Sequence, residues 1–156
     1  SENSNFVICS GAKSILDLSK TNELLETLGI TRIGYQTNYM PGFWYEETEN
    51  KVDNKFDEIH EISSFLKLNE NMGNKKSILI FNKVPLEKAL NKNDVEKWIN
   101  NATIKADRNN ISGKELTPFL IKEINEQSKN ETLNANVSLI INNANLAGKI
   151  AKSFYS

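Results

Sequence analysis

Lys13 is the residue of this chain whose position most strongly suggests chemistry. It stands behind Gly11, just past the hydrophobic residues 6–9, in the stretch Cys-Ser-Gly-Ala-Lys-Ser. Glycine lets a backbone turn sharply, and α/β sheets bind ligands beyond the carboxyl ends of their strands. Loss of hydration beside apolar neighbours would favour a neutral, nucleophilic amine. The alternative is a solvated surface lysine, since the chain has many.

Other reactive side chains are few. Cys9 is the single cysteine, which excludes an internal disulfide and a cysteine-cluster metal site; we expect a small buried hydrophobe. His60 is the single histidine and is predicted to lie on a helix surface, since one histidine cannot build a zinc site. The net charge of −1, with interleaved signs, predicts no nucleic-acid partner. No apolar run or signal-peptide pattern points to a membrane, so we predict a cytoplasmic protein, organellar import being the open alternative.

Periodicity supplies the elements that must position Lys13. Strands are predicted over residues 5–9, 32–35 and 77–81, and helices over 14–28, 57–71, 94–109, from Thr117-Pro118 onward, and over 133–154. The strand–helix–strand order predicts parallel pairing of the first two strands. We therefore predict an α/β fold, a layered α/β/α arrangement with a largely parallel sheet. Three strands are few for such a sheet, so further strands are expected from a missing upstream segment or from another chain. The chain also starts with Ser1 and not methionine, so it is expected to be a processed or truncated piece.

Two segments have unusual composition. Residues 38–48 form a loop that holds Tyr39, Phe43, Trp44 and Tyr45, and such loops pack onto a pocket or a neighbouring subunit. Residues 138–144 of the last helix are apolar around much of its circumference, which predicts that this part is largely buried.

The stretch 9–18, Cys-Ser-Gly-Ala-Lys-Ser-Ile-Leu-Asp-Leu, resembles the signature around the catalytic lysine of the pseudouridine-5′-phosphate glycosidases, the indigoidine synthase A-like family. The similarity continues, in the family's order and spacing, through residues 25–30, 33–37, 113–120, 133–137 and 142–144. It covers nearly the whole chain but only the C-terminal half of the family's domain. Residues 1–156 are therefore expected to form part of one glycosidase domain.

The resemblance implies reversible cleavage of the C–C glycosidic bond of pseudouridine 5′-phosphate, giving uracil and ribose 5-phosphate. A carbon leaving group departs poorly, so the carboxylate pair of ordinary glycosidases is inadequate. Lys13 matches the family lysine that adds to C1′ of the ring-opened sugar to give an iminium. Asn136 matches a family asparagine that hydrogen-bonds uracil; the alternative is a buried amide bonded to helix backbone. Asn142 and Asn143 are expected to play structural or supporting roles.

The resemblance also implies groups that lie upstream of Lys13 in the family. These are a glutamate proton donor, a second substrate-binding lysine, a phosphate-binding serine region and an aspartate that holds a divalent metal, manganese. The N-terminal half of the same protein is the expected partner, and the family's assembly is a homotrimer. We expect the isolated 156-residue piece to be inactive.

Two positions depart from the family pattern. Glu46 stands where relatives usually carry arginine, which puts any anion or subunit contact of that loop in doubt. Lys83 lies in Asn-Lys-Val-Pro where relatives often have Asn-Pro-Ile-Pro, a change expected to alter only a turn. Two other functions remain open: an inactive relative used in assembly or regulation, and an unrelated lysine-iminium enzyme such as an aldolase.

Overall fold

The computed structural model describes residues 6–156, in which four strands and five helices form an α/β fold. The strands are β1 (Phe6–Cys9), β2 (Thr31–Tyr35), β3 (Asn54–Phe56) and β4 (Ile78–Phe81). The helices are α1 (Leu18–Thr27), α2 (Ile59–Asn71), α3 (Lys92–Arg108), α4 (Leu116–Gln127) and α5 (Glu131–Tyr155). Short 3₁₀ turns occupy Leu86–Lys88 and Gly113–Glu115. The predicted first strand residue, Asn5, lies outside the described residues.

The described strands form one parallel sheet in the order β1-β4-β2-β3, which confirms the predicted fold class. The predicted direct pairing of the first two strands is wrong, because β4 lies between them. The sequence of β4, Ile-Leu-Ile-Phe, is apolar on both faces and suits a central position. The sequence analysis missed β3, since Asn-Lys-Phe has no apolar run to mark an edge strand.

One face of the sheet carries an aliphatic cluster that we call the sheet core. Ile33 and Ile80 lie opposite each other in the register and are fully buried. Helices α2 and α5 cover this face and pack against each other. The cluster consists of Ile33, Ile62, Leu66, Ile78, Ile80, Leu146 and Ile150.

The opposite face of the sheet holds a charged cluster around Arg32, which is only 6% exposed. Its guanidinium donates a hydrogen bond to Asp53, which follows the aromatic loop of residues 38–48, at 2.5 Å. It also donates to Asn22 at 2.5 Å and to Glu26 at 2.7 Å, both on α1. The hydrogen bond to Asp53 is the main reason that the pKa of Arg32 is raised. The cluster fixes α1 against β2. Nearby on the same face, Val7 of β1 remains 44% exposed.

A second cluster, the loop core, forms where residues 38–48 pack against α3, α4 and the start of α5. It consists of Trp44, Tyr45, Val95, Ala102, Ala106, Leu120, Ile124 and Ala135. The aromatic loop therefore packs on this chain's own helices. Burial raises the pKa of the Tyr45 phenol, and the charge of Glu96 adds to that effect.

Two helices begin at places that the sequence analysis did not predict. Helix α1 starts four residues later than expected, because Asp17 caps it by accepting from the backbone N–H of Lys20 at 3.0 Å. Helix α4 begins at Leu116, directly after a 3₁₀ turn, so Thr117 lies inside the helix and does not cap it. The termini of α2, α3 and α5 lie within two residues of the predicted ones.

Helix α5 departs most from its predicted burial. Leu139 is buried, but Ile140 is 70% exposed and Ile141 57% exposed, so the prediction of a largely buried middle is wrong for the described residues. The exposed apolar residues repeat at helical spacing and form one stripe, which we call the exposed face of α5: Leu133, Val137, Ile140 and Ile141. No helix within residues 6–156 is both long enough and apolar enough to cross a membrane.

Candidate active site

The turn after β1 holds Lys13 in place through contacts with the aromatic loop. Gly11 has φ +88°, and a Cβ atom there would lie 2.2 Å from the carbonyl oxygen of Pro41. The backbone N–H of Phe43 donates to the carbonyl of Ser10 at 3.1 Å. The Ser14 hydroxyl donates to a loop carbonyl, that of Gly42, at 2.5 Å. The close turn predicted at Gly11 is therefore present, and the loop presses directly against it.

Lys13 itself is an exposed side chain. Among residues 6–156 its ammonium group has no hydrogen-bond or ion-pair partner, so no local contact ties it to a structural role. The expected loss of hydration is wrong for the described residues taken alone, because the neighbours on this chain leave the amine open to water. Its predicted role as a nucleophile stays a prediction.

Asn136 lies in the first half of α5 and is half-buried. Its Oδ1 accepts a hydrogen bond from the indole Nε1–H of Trp44 at 2.7 Å, so its partner is an aromatic side chain and not helix backbone. The sequence analysis did not identify Trp44 as part of the site. The aromatic density of residues 38–48 indicated that the loop packs somewhere, but it carried no information on the partner, which is 92 positions away.

Lys13 and Asn136 line the same cavity, whose volume is about 100 Å³. Four apolar and aromatic side chains complete its lining: Ile15, Phe43, Trp44 and Ile121. A second, more open cavity of about 210 Å³ lies on another side of the Trp44–Asn136 pair. The structure thus brings together both residues that the sequence analysis selected, in a setting with an amine, an amide and an aromatic wall.

A polar network joins the carboxyl ends of two strands to α5. The amide of Asn143 donates to the Ser10 hydroxyl at 3.1 Å, and its Oδ1 accepts from Asn82 Nδ2 at 3.1 Å. Both Ser10 and Asn82 are buried directly after a strand end. Asn142 donates to the carbonyl of Lys83 at 3.1 Å. Asn142 and Asn143 therefore anchor α5 beside the turn that carries Lys13, as their predicted structural roles require.

The two positions that depart from the family pattern are in contact with each other. Lys83 Nζ lies 3.7 Å from a carboxylate oxygen of Glu46 and 3.2 Å from one of Glu47. Glu47 also accepts a hydrogen bond from the buried Thr37 hydroxyl at 2.9 Å. The prediction that Lys83 alters only a turn is wrong, because its side chain links the end of β4 to the aromatic loop through two carboxylates.

The remaining reactive side chains do not join the site. Cys9 is half-buried, and burial raises the pKa of its thiol, which disfavours the thiolate. His60 is exposed, as predicted. Within residues 6–156, no three His, Cys, Asp or Glu side chains lie close enough to hold a metal ion. The resemblance places the divalent-metal ligand upstream of Lys13, so this finding does not test that prediction.

Comparisons with known proteins identify relatives along nearly the whole chain. The family model described as indigoidine synthase A like protein matches residues 1–153. A pseudouridine-5′-phosphate glycosidase of Kosmotoga olearia is 44% identical over 93% of this chain, and one of Staphylococcus aureus is 41% identical over 93%. These matches cover 50% and 47% of the two relatives, so the chain spans about half of their length.

Two solved structures share the fold. The indigoidine synthase A-like protein of Thermotoga maritima superposes with a TM-score of 0.83 at 32% identity, over 96% of this chain and 50% of that one. The prealnumycin C-glycosynthase AlnA, solved in complex with ribulose 5-phosphate, superposes with a TM-score of 0.90 at 27% identity, over 98% of this chain and 51% of that one.

Proposed function

This chain belongs to the indigoidine synthase A-like protein family, and on that basis we propose that it is one half of a pseudouridine-5′-phosphate glycosidase. The proposed reaction is the reversible cleavage of the C–C glycosidic bond of pseudouridine 5′-phosphate to uracil and ribose 5-phosphate. The observation that carries the proposal is the shared cavity: Lys13 and Asn136 are far apart in sequence and line the same cavity. Relatives at 44% and 41% identity bear this enzyme's name.

The proposed chemistry assigns the covalent step to Lys13. Its amine bonds to C1′ as the C1′–O4′ bond breaks and O4′ takes a proton. The nitrogen lone pair then forms the C1′=N bond while the bond from C1′ to uracil breaks and the uracil carbon takes a proton. Water hydrolyses the resulting iminium, which releases ribose 5-phosphate and restores the amine. An exposed lysine without a hydrogen-bond or ion-pair partner among the described residues, which lines a partly aromatic cavity, suits this sequence of steps.

The substrate class has separate support. A glycosynthase with the same fold was solved with ribulose 5-phosphate, which is a pentose 5-phosphate in open-chain form. Ring-opened ribose 5-phosphate has the same carbon count, phosphate and acyclic shape. The proposal places the sugar at Lys13 and the uracil ring against Trp44 and Asn136.

The proposal also assigns a partner, the preceding half of the same protein. Three features of the described residues favour it: β1 pairs only with β4 and leaves one edge open, Val7 is partly exposed on the sheet, and the exposed face of α5 is apolar. That half would supply the glutamate proton donor, the second substrate-binding lysine, the phosphate-binding serine region and the manganese ligands. None of the proposed steps uses the metal. The homotrimer and the cytoplasmic location stay predictions.

Trapping of the iminium tests the proposed function. The full-length protein is incubated with ribose 5-phosphate and sodium borohydride, which reduces an iminium to a stable secondary amine, and the modified peptide is identified by mass spectrometry. We expect the sugar phosphate on Lys13. The matched control is Lys20→Ala, an exposed lysine on α1 that pairs with Asp17, and it should label like the wild type, whereas Lys13→Ala should not.

Retained turnover in Lys13→Ala, or labelling of another lysine in the wild type, would contradict the mechanism. A full-length protein that neither turns over nor labels would support the alternative of an inactive relative, and turnover of aldehydes without pyrimidine would support an aldolase. The 156-residue chain alone should show no turnover, and activity from it would contradict the need for a second half.

A further inference from the structure

The hydrogen bond between Trp44 and Asn136 has a direction that chemistry fixes. An indole Nε1–H can only donate, so the atom of Asn136 that lies 2.7 Å from it must be the amide oxygen. The two ends of an amide are otherwise interchangeable in position, and this partner removes that ambiguity. The amide nitrogen, Nδ2, therefore forms the other end of the group. Among residues 6–156 it has no hydrogen-bond partner.

Trp44 is held rigidly enough to impose this orientation. The side chain is 3% exposed and packs in the loop core. Its backbone N–H donates to the carbonyl of Gly42 at 2.9 Å, and its own carbonyl accepts from Leu90 at 2.8 Å. The neighbouring Phe43 ring lies 5.7 Å away, centroid to centroid. The indole cannot follow a rotating amide without disturbing these contacts.

We infer that Trp44 is a positioning residue that turns the amide of Asn136 so that Nδ2 donates to a carbonyl oxygen of the pyrimidine. The inference rests on the proposed function, and it predicts which pyrimidine rings the site accepts. A ring that presents a carbonyl oxygen accepts from Nδ2, whereas a ring that presents an amino group or an N–H meets a second donor. An unpaired donor facing a donor in an enclosed site weakens binding by about 10-fold or more.

The synthesis direction provides the test, because uracil and ribose 5-phosphate are then separate substrates with separate KM values. In the full-length protein, Trp44→Phe keeps an aromatic ring and removes the N–H. We expect the KM for uracil to rise about 5- to 20-fold, as for the loss of one hydrogen bond, with the KM for ribose 5-phosphate changed less than about twofold.

A double-mutant cycle separates positioning from packing. If Trp44 acts through Asn136, Trp44→Phe should raise the KM for uracil only while the amide is present and should have no further effect in the Asn136→Ala background. An equal rise in both backgrounds, or an equal rise in both KM values, would overturn the inference and would leave the proposed function standing.

A second pair of variants leaves Trp44 untouched and can still overturn the inference if Trp44→Phe fails to fold, because it tests the contact of Nδ2 with the pyrimidine. Asn136→Asp can still accept from the indole but presents an oxygen where Nδ2 was. We expect its KM for uracil to exceed that of Asn136→Ala, since the new oxygen opposes the pyrimidine carbonyl. A KM at or below that of Asn136→Ala would overturn the inference. A wild-type protein without turnover would instead contradict the proposed function, and the inference with it.

Discussion

The sheet core and the loop core are built on different principles. The sheet core consists of aliphatic side chains that repeat every second residue along strands and every third or fourth along helices. The loop core depends on an aromatic segment without regular structure that packs across three helices. Lys13 and Asn136 line one cavity together with Phe43 and Trp44 of the aromatic loop. The sheet core therefore mainly stabilises the chain, whereas the loop core also shapes the cavity.

Truncation in the sheet core should have the largest effect on stability. Ile33 is fully buried between β4 and the helices, so Ile33→Ala should lower the free energy of unfolding of the full-length protein by about 3–4 kcal/mol. Ile33→Val should cost about 1 kcal/mol. Denaturant titration measures both. Both variants should keep the wild-type KM for uracil while folded, and a changed KM would show that the two cores are not separate in function.

Removal of the charged cluster behind β2 should come next. Arg32→Ala leaves Asp53 and Glu26 without their cation, but these carboxylates are 37% and 54% exposed and can be rehydrated. We therefore expect a loss of about 2–3 kcal/mol, below the usual cost of breaking a fully buried pair. Arg108→Ala, at the exposed end of α3, is the control and should stay within about 0.5 kcal/mol of the wild type. Equal losses in both variants would contradict the assigned role of Arg32.

The loop side of the comparison is tested by the turn that carries Lys13. Gly11→Ala places a methyl group against the Pro41 carbonyl in a left-handed backbone conformation, so it should cost about 2 kcal/mol. Activity should fall by more than this loss of stability explains, because the shift moves Lys13. The control is Gly148→Ala on α5, where the added methyl group meets nothing within 4 Å and should stabilise the helix slightly. Unchanged activity in Gly11→Ala would contradict the link between turn and site.

These effects also explain which parts of the structure could be predicted from sequence. Periodic apolar residues identified β4 and α2. The strand–glycine order made Lys13 plausible, and only the resemblance to the family signature gave it a role, which stays a prediction. The partnership of Trp44 with Asn136 could not be predicted, because it joins a loop to a helix 92 positions later and depends on tertiary packing alone. The exposure of Ile140 was missed because hydrophobicity indicates that a residue is suited to burial, not which surface covers it.

Acid should weaken the charged cluster before it affects the sheet core. Partial burial raises the pKa of Asp53, but the hydrogen bonds from Arg32 and its charge outweigh that effect and hold the pKa below its ordinary value. A carboxyl group with a lowered pKa contributes stability above its unfolded pKa of about 4, and loses it as the pH falls through the folded pKa. The free energy of unfolding should therefore fall with pH below about 5 in the wild type, and less steeply in Asp53→Asn. Equal slopes would contradict the assignment.

The smallest effect is expected where the two departures from the family pattern meet. Lys83→Ala removes a partly exposed cation from Glu46 and Glu47, so it should cost no more than about 1 kcal/mol, and less at high salt. Its test is the salt dependence of the free energy of unfolding, with Lys20→Ala, which pairs with Asp17 at the start of α1, as the exposed control. Because Lys83 joins the end of β4 to the aromatic loop, its variant should also raise the KM for uracil slightly, and the control should not. A rise in the KM for uracil greater than the loss of stability accounts for would show that the ion pair acts on the loop core and not on the sheet core.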